Sequence, residues 1–303
     1  MHDQVAAHKR RSALLCAGFA LAVALGLVGV NLLIGGGAVG FVAAVSAAAV
    51  VTAVAYRRSA DVVLAVSHAR PADPVEHARL HNLVEGLCVA AGVPKPRIFV
   101  VDDETPNAFT VGRDARHAAV GVTTGLLGKL NRIELEAVLA HELSHVKNCD
   151  VMASTVAVTT VGLAALVADW ALRFSSWDGP THADDRRGSR GGAAVVLGAV
   201  GLVLLPLAAL AARLLRLAVS PRREAVADLT GVSLTRYPPG LVSALEKVRA
   251  GGGVVRSGSR ATAHLWLESP VARADSEGRL AWLGRLVDTH PPLEERIEAL
   301  REL

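Results

Sequence analysis

His141-Glu142-Leu143-Ser144-His145 places two imidazoles four residues apart, with a carboxylate directly after the first. On a helix, residues at that spacing share a face with β-carbons about 5 to 6 Å apart, so both rings can direct a nitrogen at one ion at about 2.0 to 2.1 Å. Glu142, one step round the helix, is then placed as general base towards a water that the ion activates, which is the mechanics of the His-Glu-x-x-His pattern. Chance supplies that pattern in roughly two of every hundred chains of this length and composition, so it needs support from elsewhere in the chain. A catalytic zinc takes three protein ligands and keeps one position open. "SPRREAVAD" offers the third: Glu224 and Asp228 are four apart on one helical stretch, so Glu224 can bind the ion while Asp228 accepts the N–H of a ligating histidine. Taken alone, that pair reads as a solvated face beside Arg222 and Arg223.

The histidine pair needs a helix under it, and "NRIELEAVLAHELSHVKN" supplies one: Ile133, Leu135, Val138, Leu139 and Leu143 recur at helical spacing behind Asn131, a capping residue. Upstream, "DPVEHARLHNLVEGLCVAAG" repeats Leu80, Leu83, Val84, Leu87 and Ala91 at the same spacing and stops at Gly92. "PRIFVVDD", "NAFTVG" and "HAAVGVTTGLL" read as three short strands, rich in β-branched residues and punctuated by glycine. Downstream, helices are expected through "SPRREAVADLTGVSL", "PPGLVSALEKVRAG" and "PPLEERIEALREL", with a flexible loop at Gly251-Gly252-Gly253 and "RSGSR".

The chain has 303 residues, of which 51% are hydrophobic, more than a soluble domain of this size needs. Residues 12–34 carry no charge and are long enough to cross a hydrocarbon layer of about 30 Å. So are residues 38–56, and only Gly35-Gly36-Gly37 lies between, which predicts a tight hairpin. A cleaved signal peptide is the poorer reading: the first stretch exceeds the usual h-region of about 7 to 15 residues, and a second span follows it. Further spans are expected at 151–172 and 193–219. Lys9, Arg10 and Arg11 before the first span and Arg57 and Arg58 after the second put both ends inside. Arg173, Arg186, Arg187 and Arg190 between the last two spans run against that trend, and Arg213, Arg216, Arg222 and Arg223 outweigh them modestly. The organisation expected is an anchor at 1–56, domain parts at 57–150 and 220–303, and a membrane hairpin at 151–219.

Cys16, Cys88 and Cys149 are far apart, which gives no disulfide framework and fits a reducing compartment. The net charge of +4 comes from arginines gathered at membrane flanks without interleaved aromatics, so the expected partner is the lipid bilayer and not nucleic acid.

"AVLAHELSHVKNCD", "NAFTVGR" upstream, and "SPRREAVAD", "ATAHLWLESP" and "THPPLEERIEALREL" downstream together resemble the HtpX membrane metalloproteases, relatives of the CAAX prenyl endopeptidases. The order of the motifs and the spacing of the apolar segments are similar over nearly the whole chain. The resemblance implies a mainly α membrane protein, with about four transmembrane helices and a cytoplasmic α+β zincin-like protease domain. It implies a multi-pass zinc endopeptidase in the plasma membrane of a bacterium, with its active site in the cytoplasm, cleaving misfolded or damaged membrane proteins. Residue by residue, it makes His141, His145 and Glu224 ligands of one Zn2+ per subunit, Glu142 the base and Asp228 the supporting carboxylate. Asn107, Ala108 and Phe109 would belong to a strand that pairs with extended substrate. His290 is a candidate to stabilise the oxyanion, beside the simpler reading in which Thr289, Pro291 and Pro292 start the last helix. The departures are Thr110 then Val111, where the family commonly has alanine then threonine, and Cys149, where an arginine is usual.

Other readings fit less well. An intramembrane protease would carry the motif inside an apolar span, whereas "NRIELEA" and "VKNCD" flank it here. An adaptor with a structural zinc would not need Glu142, and a transporter would put its polar groups at midplane. A CAAX-type endopeptidase acting on prenylated tails is the nearest enzymatic alternative.

Overall fold

The computed structural model describes residues 35–149, 221–251, 265–268 and 292–303, with Val151, Thr155 and much of 14–32. Residues 23–29 of the first apolar stretch are helical. Gly35 and Gly37 then turn the chain at φ of 69° and 59°, a region that side chains disfavour. Asn31 Nδ2 donates to the Gly37 carbonyl at 3.2 Å across that turn.

Helix α1 follows, from Gly37 to Val66. Among the described residues it is the helix long and apolar enough to cross a membrane. It does not end near Tyr56 as its apolar stretch does, but continues through Arg57 and Arg58. The reason is tertiary: Ala60, Val63 and Leu64 in its last turns are buried against the sheet. The spans expected at 151–172 and 193–219 lie outside the described residues, apart from Val151 and Thr155.

The sheet has four strands, β1 (Arg70–Pro71), β2 (Arg97–Val101), β3 (Ala108–Gly112) and β4 (Ala118–Thr123), in the order β1-β2-β4-β3. β2 and β4 are parallel, and the other pairs are antiparallel. Helix α2 (Ala78–Ala91) precedes β2. "HAAVGVTTGLL" divides where a single strand was expected: Thr123 Oγ1 accepts from the Leu126 N–H and caps a short helix, α3 (Thr124–Lys129). A capping hydroxyl costs the ladder nothing and starts the next element.

Helix α4 (Arg132–Lys147) carries the histidine motif. Asn131 caps it as expected, and Glu134 returns the bond to the Asn131 N–H, a reciprocal arrangement that satisfies two otherwise orphan donors. Helices α5 (Pro221–Thr235), α6 (Pro238–Ala250) and α7 (Leu293–Arg301) complete the described chain. Helices α2, α5 and α6 and strand β3 all pack on α4. One face of the sheet therefore meets helices, and the other meets the end of α1 with Trp266. Covered on both faces, β3 and β4 are buried at every residue instead of alternating.

Candidate metal centre

Helix α4 aims its polar motif inward. His141 and Glu142 are only 1% and 2% exposed, while the His145 side chain keeps 18%. Glu224, Ala227, Asp228 and Gly231 recur at intervals of three and four, and this buried stripe of α5 lies on α4. Gly231 sets the spacing of the two helices. A β-carbon there would stand 3.0 Å from the backbone nitrogen of His141, so α5 rides directly on the main chain of α4.

That approach brings His141, His145 and Glu224 together, with one donor atom from each inside 4.8 Å of the others. His141 Nε2 lies 3.6 Å from Glu224 Oε2, and His145 Nε2 lies 3.9 Å from Glu224 Oε1. A tetrahedral zinc with bonds of about 2.0 to 2.2 Å separates its ligand atoms by about 3.3 to 3.6 Å, so donors within 4.8 Å of one another have to draw in to close on an ion. The two rings meet edge to face at 5.0 Å. Asp228 Oδ1 is 2.8 Å from His141 Nδ1, which fixes the tautomer and leaves Nε2 facing Glu224.

Two residues join this group to which the sequence assigned no role. Arg296 of α7 grips Asp228 with two bonds, Nε to Oδ2 at 2.9 Å and Nη2 to Oδ1 at 2.7 Å. Its Nη2 is 3.5 Å from both ring nitrogens of His141, and its Nη1 is 3.6 Å from Glu224. Burial alone would raise the Asp228 carboxyl, but the charge of Arg296 and the contact with the His141 ring override it and hold that carboxyl below the usual range. Burial likewise works against the charge on Arg296, and Asp228 reverses it, so the guanidinium stays protonated. The carboxylates acting on Arg296 are those of Asp228, Glu224 and Glu142. The signal for Arg296 was present in its spacing. It stands in the apolar stripe Leu293, Ile297, Leu300, where a cation has to find a buried partner.

Thr110 of β3 is the second. Its hydroxyl donates to Glu142 Oε2 at 2.6 Å and lies 3.3 Å from the Glu142 carbonyl oxygen. It shares a strand face with Ala108, the face that meets α4.

The expected substrate strand is occupied by the chain itself. The Leu267 N–H donates to the Ala108 carbonyl at 2.8 Å, and the Asn107 side chain bonds the backbone of Glu268 in both directions at 2.8 and 3.2 Å. Phe109 is fully buried under Trp266, ring centroids 4.6 Å apart. His290 and Thr289 lie outside the described residues.

Residues 74–303 match the family described as Peptidase family M48. The chain belongs to peptidase family M48. A protein named Protease HtpX homolog from Thermoanaerobacter pseudethanolicus is 42% identical over 250 residues, 82% of this chain and 80% of the relative. Another of that name, from Limosilactobacillus fermentum, is 37% identical over the full length of both chains. The crystal structure of S. mikatae Ste24p matches at a TM-score of 0.45 with 18% identity, over 83% of this chain and 56% of that one, and a likeness of that degree says nothing of chemistry. As a member of family M48 with such relatives, the protein is a membrane metalloprotease, and the His–His–Glu group is of the kind that holds the metal of such an enzyme.

Proposed function

We propose that this protein is a zinc endopeptidase whose single ion is held by His141, His145 and Glu224. The observation that carries the reading is the convergence of those donors, from two helices, within 4.8 Å of one another. A zinc ion there supplies Lewis acidity towards water and the scissile carbonyl. Glu142, buried beside the trio, takes the proton from the attacking water and returns it to the departing amine. The Thr110 hydroxyl holds Oε2 of Glu142, which leaves Oε1 for that transfer. Asp228 keeps the Nδ1 proton of His141 in place, and Arg296 keeps Asp228 ionised.

The substrates we propose are misfolded or damaged membrane proteins, cut at the cytoplasmic face of a bacterial plasma membrane by a chain with about four spans. The arginines that follow the apolar part of α1 support that orientation. An extended peptide pairs with the edge at Asn107, Ala108 and Phe109 once residues 265–268 give way, because the Ala108 carbonyl is already taken.

Glu142→Gln tests the assignment. It should keep near-stoichiometric zinc by atomic emission, yet cut an unfolded reporter more slowly by roughly 10²- to 10⁴-fold, the usual contribution of a general base. Glu224→Ala should lose both metal and turnover. Full zinc and activity in Glu224→Ala would move the third ligand elsewhere, and an active Glu142→Gln would end the mechanism.

A further inference from the structure

The apolar part of α1 ends at Tyr56. From Gly37 to Tyr56 it covers twenty uncharged residues, which at about 1.5 Å each is the thickness of a hydrocarbon core. Arg57 and Arg58 thus stand where lipid headgroups begin, and a crevice of about 310 Å³ opens beside Arg57. Three separate stretches bring arginines to its wall, Arg57 from α1, Arg97 from the start of β2, and Arg113 and Arg116 from the β3–β4 turn, and Asp61 and His117 line it as well.

The crevice is built rather than merely basic. Arg113 Nη1 donates to the Arg57 carbonyl at 3.3 Å and ties the turn to the helix. Asp114 accepts from the backbone N–H groups of Arg116 and His117, both at 2.9 Å, which holds the turn that carries Arg116. The nearby acids are already engaged. Asp61 is 3.0 Å from Arg97 and 3.7 Å from Arg58, and Asp114 is 2.7 Å from His117 and 3.7 Å from Arg113. Among the described residues, the guanidinium groups of Arg57 and Arg116 have no acidic partner. An anion with several acceptor oxygens in fixed geometry is what such a set of forks recognises.

We infer that this crevice binds the phosphate group of an anionic phospholipid, so that the catalytic domain is seated on the membrane by a specific lipid as well as by its helices. A lipid phosphate is favoured over free phosphate because the crevice lies at headgroup depth, where lipid phosphate is held at high local concentration. The crevice shares no residue with the histidine motif or its ligands, and its test does not depend on peptidase activity.

The full chain, purified in neutral detergent, is titrated with short-chain phosphatidylglycerol, with phosphatidylcholine of the same chain length, and with inorganic phosphate. Bound lipid is counted by native mass spectrometry, and the thermal midpoint is followed in parallel. Phosphatidylglycerol should bind saturably and raise the midpoint, and phosphatidylcholine should do so far less. Arg116→Gln should weaken phosphatidylglycerol about fivefold, and Arg57→Gln with Arg116→Gln roughly 25-fold, at unchanged zinc content. Arg116 is exposed, so the single variant still reports if the double one folds poorly. Equal binding of phosphatidylglycerol by parent and variants would overturn the site. Inorganic phosphate matching phosphatidylglycerol at the same concentration would overturn the lipid assignment.

Discussion

Helices α1 and α4 depart from the ordinary rule of burial in opposite directions. α1 turns Val39, Val42 and Val50 outward at 83%, 63% and 61% exposure, while α4 buries Glu134, His141 and Glu142 to 4%, 1% and 2%. A continuous exposed apolar surface is unfavourable in water, and a buried charge is unfavourable in a protein interior unless it is matched. Each anomaly therefore specifies its partner. The valines of α1 call for hydrocarbon around them, and the acids near α4 call for cations, of which Arg296 is one. A departure from the solvent rule is in this sense a chemical description of what the surface meets.

The comparison breaks most readily at Arg296. Replacing it with Met leaves Asp228 charged in the interior with only the His141 ring beside it, and unfolding in urea should show a loss of about 3 to 5 kcal/mol. Adding Asp228→Asn should recover most of that stability without restoring zinc affinity. A single variant as stable as the parent would show that the charges behind α4 do not depend on one another.

The other side of the comparison is tested at Val50, about two-thirds of the way along the apolar part of α1. Arginine there should disfavour membrane insertion by up to about 2.5 to 3.5 kcal/mol, the scale for a helix centre, seen as protein shifted to the carbonate-extractable fraction. Unchanged integration of Val50→Arg would mean that α1 does not face lipid.

A smaller effect is expected at Thr110. Thr110→Val keeps the shape and removes the hydroxyl, so kcat should fall about tenfold with KM and zinc content little changed, the scale of one lost hydrogen bond to a charged group. Thr110→Ser should restore the rate, which a purely steric role would not require.

The smallest is a pH effect at Glu134. Burial would raise its carboxyl, but Lys247, Ser243 and the Asn131 N–H hold it below the usual range. A carboxyl depressed in the folded state stabilises above its unfolded value of about 4.3 and loses that contribution as pH falls through the folded value. Glu134→Gln should thus cost about 1 kcal/mol at pH 7, with the gap to the parent closing in acid below that range. A gap that persisted unchanged at pH 3 would show that the charge on Glu134 contributes nothing.

What could be read from the chain was whatever is encoded within one turn or one period. Asn131 with Glu134, the four-residue step from His141 to His145, and the same step from Glu224 to Asp228 are local, and all of them meet in the structure as neighbours. Arg296 escaped because its partner Asp228 is 68 positions away and no short pattern links them. Thr110 was noticed only as a departure from a family pattern, since its contact with Glu142 arises from how β3 lies on α4. The extension of α1 to Val66 escaped for the same reason: Arg57 and Arg58 look like an end until Val63 and Leu64 are seen against the sheet. The pairing of Leu267 with Ala108 joins stretches that have no common signature.

The missing side chain at Gly231 makes the metal centre a matter of mechanical tolerance as well as of donors. Metal–ligand bonds accept errors of about 0.2 Å, and relieving a methyl group 3.0 Å from the main chain of His141 asks for a shift of that same order. Glu224 and Asp228 ride on α5 and would move with it as one body. The fit between these two helices leaves a clearance smaller than one carbon atom, so the ligand set could be thrown out of register by a substitution that touches none of its members.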